Sequence, residues 1–219
     1  MNDTTILPRS QVAASGLDDW RVMLGALHTR FRTGSFMAGL ALATAIADAA
    51  EEANHHPDLD LRYPHLNVTL TSHDVGGVTE RDLRMARRIS ELAAGQGVVA
   101  DPSAVQVLEL ALDTLDRASI RPFWKAALDL GDSPGNDNDA VDTAGSVPSL
   151  WFQETDSTEP DRQRFHLDIT VPPEVARGRI DAALAAGGTL VSDAAAPAFT
   201  VLADPEGNLV CICTSEGRD

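Results

Sequence analysis

The sequence predicts an α+β protein built from two regions, and three observations point there. Leu66 to Ser72 alternates apolar and polar residues, as a half-buried strand does. Ser35–Asn54 and Thr79–Gly95 carry apolar residues at helical spacing behind capping residues. The charge is also unevenly spread: residues 1–98 hold 9 basic and 12 acidic residues, a net of -3, whereas 99–219 hold 8 and 21, a net of -13. The histidines run against that gradient. His28, His55, His56, His65 and His73 precede position 98 and only His166 follows it.

Taken in order, residues 1–16 read as a mobile lead-in. Trp20–Leu24 and His28–Arg32 read as two short strands around Gly25. Ser35 caps a helix that runs to about Asn54, with Phe36, Leu40, Ala43, Ala47 and Ala50 as its apolar stripe; Asn54 and Pro57 stop it. Leu66, Val68 and Leu70 then face one way along a strand, and Asn67, Thr69, Thr71 and His73 the other. Gly76 and Gly77 turn the chain into a second helix, capped by Thr79 with Asp82 at the third helical position. Met85, Ala86, Ile89, Leu92 and Ala93 form its buried stripe.

Gly95, Gly97 and Pro102 mark a connector, dividing the chain into a domain at 1–98 and another at 103–219. In the second, Val105–Leu112 reads as a strand and Arg121–Leu130 as a helix, followed by a polar loop over 131–148. Leu150–Glu154 and Phe165–Val171 read as strands, and Pro173–Ala186 as a helix stopped by Gly187 and Gly188. Thr189–Val191, Phe199–Ala203 and Leu209–Cys213 complete the list of strands, the last two joined by the turn DPEGN. The order is β-α-β followed by β-α-β-β-β, which suggests a duplicated unit.

Composition excludes several functions. A net charge of -16 over 219 residues leaves no basic surface for nucleic acid and none for an anionic membrane. The apolar stretch around Met37–Ala50 is broken by Thr44 and Asp48 and is too short to span a bilayer. The N-terminus lacks a basic segment followed by an apolar one, so a cytoplasmic location is expected. Cys211 and Cys213 read as small buried core residues.

The sharpest feature is Glu51-x3-His55-His56-Pro57-x5-Tyr63-x9-His73-x8-Asp82. His55 and His56 follow a helix C-terminus, where the dipole favours imidazolium. With an ordinary pKa near ~6.5, such groups donate or accept protons at neutral pH. His73 ends a strand on its polar face. If that end meets the helix terminus, three imidazoles converge beside a carboxylate, which suits acid–base catalysis on a small polar ring. Taken singly, each residue has a plainer role: a dipole partner at a helix end, a capping Asp82, a packing Tyr63. A zinc site is disfavoured because adjacent His55 and His56 do not easily reach one metal.

The stretch AEEANHHPDLDLRYPHLNVTLTSHDVGGVTERDLRMARRI resembles the signature of the pterin-4a-carbinolamine dehydratases, over roughly residues 15–96. The resemblance implies an antiparallel sheet with helices on one face, in a homo-oligomer. It implies dehydration of a 4a-hydroxytetrahydropterin, as in tetrahydrobiopterin recycling or biosynthesis, with no metal and no cofactor. His55, His56, His73 and Asp82 would be the catalytic set, with Asp82 or Glu51 orienting an imidazole. Glu51, His55, His56, Pro57, Ser72, His73, Asp74 and Val75 would hold the pterin. Leu59 stands where the family often has an aromatic residue, and Ser72 where it commonly has Thr.

Residues 103–216 resemble the glyoxalase-like members of the vicinal-oxygen-chelate superfamily, through RPFWKAAL, SLWFQE, RFHLDITV and FTVLADPEGNLVCIC. That resemblance implies paired βαβββ modules around a cavity. The superfamily's metal-ligand positions would fall near Glu109, Trp151, His166 and Cys211, of which only Glu109 and His166 are attractive ligands. A metal-free role with a second small ligand is the expectation here. The alternatives are a metal-dependent glyoxalase or dioxygenase acting through this region, and a small-molecule-binding protein.

Overall fold

The computed structural model describes residues 3–105, 107, 109–134, 136–156, 167–170 and 173–214. The chain divides into two compact units, Met1–Val107 and Leu108–Asp219.

The first unit begins with the short helix α1 (Arg9–Ala13), followed by strands β1 (Arg21–Met23) and β2 (Ala26–Arg32). Helix α2 (Phe36–Ala53), strands β3 (Asp58–Arg62) and β4 (His65–Leu70), helix α3 (Glu80–Gly95) and strand β5 (Val99–Ala100) follow. The sheet order is β1-β2-β4-β3, all antiparallel, with β5 also pairing with β2. Along β4 burial alternates strictly: Leu66, Val68 and Leu70 join the core with Leu42, Ile46, Leu83, Ala86 and Ile89 of the helices. The opposite face is polar, with His28 registered against Thr69 and Arg30 against Asn67.

Several elements differ from the expected ones. The lead-in is not loose: Leu7 and Val12 are buried, and the Leu7 N–H donates to the Val78 carbonyl at 2.8 Å. The apolar stripe of α2 is rotated from the expected one. Gly39, Leu42, Ile46, Ala49 and Ala50 face the core, whereas Phe36 and Leu40 are 49% and 43% exposed. An alanine-rich helix is apolar on most sides, so periodicity selects its buried face poorly. Gly39 belongs to the buried face because a Cβ there would lie 2.5 Å from the Leu61 side chain. Strand β3 went unseen, since its charged outer residues and exposed edge leave little apolar pattern. β5, within the expected connector, is too short to show a period.

Among its described residues, the second unit contains ten elements in a repeated order. Strand β6 (Glu109–Thr114), helix α4 (Arg117–Leu128) and strands β7 (Gly131–Asp132), β8 (Asp139–Val141) and β9 (Ser149–Glu154) form one βαβββ module. Strand β10 (Leu167–Thr170), helix α5 (Pro173–Ala185) and strands β11 (Thr189–Ser192), β12 (Phe199–Ala203) and β13 (Leu209–Cys213) form the other. The sheets have equivalent orders, β6-β9-β8-β7 and β10-β13-β12-β11, each with a parallel pair joining first and last strands. The expected loop over 131–148 hides β7 and β8, which complete the first module. Ile120, Phe123, Trp124, Leu150, Phe152, Leu202, Val210 and Ile212 form one shared core. Among the described residues, no helix is long and apolar enough to cross a membrane.

Candidate active site

Two helix ends and one strand end meet at a buried carboxylate. At the C-terminus of α2, Asn54 adopts the left-handed conformation, with φ of 46°. Its N–H donates to the Glu51 carbonyl at 3.2 Å and the His55 N–H to the Ala50 carbonyl at 3.1 Å. This is the Schellman arrangement, in which the αL residue closes the last turn and redirects the chain. His55 is thereby folded inward and is only 9% exposed.

At the N-terminus of α3, Thr79 and Asp82 form a reciprocal capping box. The Thr79 N–H donates to Asp82 Oδ2 at 2.7 Å, and Asp82 is fully buried. The same oxygen accepts the Ser72 hydroxyl at 2.7 Å. Asp82 Oδ1 accepts from His55 Nε2 at 2.8 Å. A capping acid therefore also fixes one imidazole and the residue preceding another. With Nε2 donating to the carboxylate, His55 has Nδ1 as its remaining atom for proton transfer.

Beyond β4 the chain makes a tight turn closed by an isolated bridge between Ser72 and Gly77. The Gly76 N–H donates to the Ser72 carbonyl at 2.9 Å, leaving His73 and Asp74 exposed in the turn. Arg81 bonds the Asp74 carboxylate, holding its pKa below the usual carboxylate range. His56 is exposed, with Nε2 3.3 Å from Glu51 Oε1. Tyr63 is 71% exposed, so the expected packing role does not hold for it.

A groove of about 440 Å³ opens beside His55, bordered by Glu52 on α2, by Arg81, Arg84 and Arg88 on α3, and by Asp3. That volume falls within the range of small-molecule sites. In the sequence Arg84 and Arg88 are marked by their spacing with Arg81, which places all three on one face of α3.

Elsewhere on the sheet, His28 is half-buried, with Nε2 3.2 Å from the Met23 carbonyl. Its burial pushes its pKa below the ordinary value. In the second unit, Trp151 is half-buried on β9 and Cys211 buried on β13. The Glu109 side chain and all of His166 lie outside the described residues. The four positions supply a carboxylate, an indole, an imidazole and a thiol. An indole gives a metal no lone pair, so this donor set does not fit a metal centre of the superfamily's kind.

Comparison with known proteins gives two family matches. The family model described as pterin 4 alpha carbinolamine dehydratase matches residues 6–92, and that described as a glyoxalase-like domain matches 109–213. A protein of Koribacter versatilis (strain Ellin345), provisionally named a pterin-4-alpha-carbinolamine dehydratase, is 38% identical over 92 residues, covering 42% of this chain and 98% of that protein. The crystal structure of a transcriptional coactivator/pterin dehydratase from Brucella melitensis is 30% identical, with a TM-score of 0.39, and covers 41% of this chain and 99% of that one. A glyoxalase/bleomycin resistance protein/dioxygenase family enzyme from Burkholderia phytofirmans PsJN is 20% identical, with a TM-score of 0.40, and covers 48% and 95% respectively.

Proposed function

Because the chain belongs, through its first unit, to the pterin-4-alpha-carbinolamine dehydratase family, we propose that this unit dehydrates a 4a-hydroxytetrahydropterin. The observation that carries the reading is the shared Asp82 carboxylate, which binds His55 on one oxygen and Ser72, beside His73, on the other.

The reaction breaks the bond from C4a to its hydroxyl and the N5–H bond, and forms a C4a=N5 double bond. The products are a quinonoid dihydropterin and water. One group must protonate the departing hydroxyl and another must accept the N5 proton. In this reading His55 and His73 share those transfers. Asp82 fixes the His55 tautomer and supports the imidazolium that forms transiently. His56, beside Glu51, positions the ring, together with Pro57 and the Ser72–Val75 turn. Stopped-flow measurement of dehydration tests the reading: His55→Ala and His73→Ala each slow turnover by ~10²-fold or more if the two imidazoles act as acid and base.

Self-association is part of the same proposal. Phe36, Met37 and Leu40 stand 49%, 69% and 43% exposed on α2, an apolar group of the kind that marks an interface. Sedimentation of the wild type and Met37→Glu checks it: the charge should shift the protein toward monomer, and a monomeric wild type would refute it. For the second unit we propose a metal-free binding role for a small ligand, which mass analysis of the purified protein with any retained ligand would reveal.

A further inference from the structure

The three arginines beside His55 have no part in moving protons. Arg81, Arg84 and Arg88 recur on one face of α3 and border the same groove as His55. In a chain of net charge -16, that groove carries three guanidiniums against the carboxylates of Asp3 and Glu52. The helix rises about 1.5 Å per residue, so Arg84 and Arg88 lie roughly 3 and 9 Å further along α3 than Asp82. That is the reach of a short substituent on a ring held at His55.

One of these arginines already holds an oxyanion. Arg84 Nη2 donates to Asp3 Oδ2 at 3.0 Å, and Nη1 approaches Oδ1 at 3.4 Å. This is the two-pronged geometry by which arginine grips carboxylate or phosphate. Asp3 comes from the N-terminal segment, and both side chains are more than half exposed, at 58% and 55%. Among the described residues, Arg88 pairs with Glu91 at 3.5 Å, with both side chains likewise exposed. Exposed pairs of this kind are weak and yield readily to a competing anion.

We infer that the groove selects pterins whose side chain ends in an anionic group, a phosphate or a carboxylate, with Arg84 and Arg88 as the specificity-determining residues and Asp3 occupying the anion's place when the groove is empty. The inference rests on the dehydratase reading and narrows its substrate class. Arg81, committed to Asp74, borders the groove at its catalytic end.

The test compares three 4a-hydroxytetrahydropterins on the full chain by stopped flow: one with a neutral dihydroxypropyl side chain, its phosphate monoester, and one bearing a glutamate-terminated substituent. The expected kcat/KM for at least one anionic substrate exceeds the neutral one by ~10-fold or more, as a charge-assisted contact provides. Which anionic arm is favoured tells phosphate from carboxylate. In Arg84→Ala/Arg88→Ala the anionic-to-neutral ratio falls toward one through KM, and in Asp3→Ala it rises. Circular dichroism of both variants confirms that they are folded. Turnover of all three pterins at similar kcat/KM by the wild type, or a ratio unchanged in the double variant, overturns the inference and leaves the dehydratase reading standing. No turnover of any pterin overturns both.

Discussion

Asp82 Oδ1 stands 2.8 Å from His55 Nε2, while its Oδ2 accepts the Ser72 hydroxyl at 2.7 Å. One buried carboxylate thus ties the end of α2 to the end of β4. Asp82→Asn replaces an acceptor-only group with one that also donates, facing donors on both sides. The variant should slow dehydration by ~10²-fold through misorientation of His55. It should also lose about 1–3 kcal/mol of stability, because a buried donor is left unmatched. Stopped-flow turnover and urea unfolding measure the two effects; full activity in a folded variant would show that the His55 tautomer does not matter.

The capping box supplies a graded version of the same test. Thr79→Ala removes the cap of α3 and a hydroxyl that lies 3.1 Å from Asp82 Oδ2. Loss of an N-cap costs about 0.5–2 kcal/mol. The expected change in turnover is smaller than for Asp82→Asn, since the bond from His55 to Asp82 remains. A decline equal to that of Asp82→Asn would transfer the orienting role to the cap.

Much of this site was legible in the sequence, and the parts that were not have physical causes. The spacing of Glu51, His55, His56, His73 and Asp82 brought out the constellation, and capping chemistry located both helices. Nothing local indicated that Asp82 would be fully buried and shared by His55 and Ser72, because that depends on three elements converging. The rotated face of α2 was lost among alanines. Strands β7 and β8 lay concealed because their short, polar stretch, rich in Gly, Asp and Asn, has the composition of a loop. The repeat in the second unit was readable from its other strands, and the two hidden ones make its symmetry complete.

Acid should act on the sheet through His28 before it acts through carboxylates. Burial lowers the pKa of His28 from its ordinary 6.5. Between the depressed folded value and 6.5, the unfolded chain binds more protons than the native one, so stability rises with pH there. The contribution is therefore lost as pH falls from neutrality through that window. The thermal midpoint of the wild type should decline from pH 7 to 5, and His28→Gln should flatten the slope. An equal slope in both proteins would assign the decline to other groups.

In the second unit, Asp204 organises the DPEGN turn and anchors α4. Its Oδ2 accepts the Trp124 indole N–H at 2.9 Å, and its Oδ1 accepts the N–H groups of Glu206 and Asn208 at 2.9 and 2.8 Å. Asp204 is 3% exposed, so Asp204→Ala leaves a buried indole donor unmatched and should cost about 2–4 kcal/mol. Denaturant unfolding followed by Trp fluorescence reads this out. A loss below about 0.5 kcal/mol, the scale of an ordinary surface change, would contradict the assigned role.

The most direct measurement is stopped-flow dehydration of a 4a-hydroxytetrahydropterin by wild type, His55→Ala and His73→Ala side by side, each shown to be folded. The expected result is a rate acceleration by the wild type and a loss of ~10²-fold or more in each variant. Wild-type turnover in both variants would contradict acid–base catalysis by these histidines, and no acceleration by the wild type would contradict the dehydratase function itself.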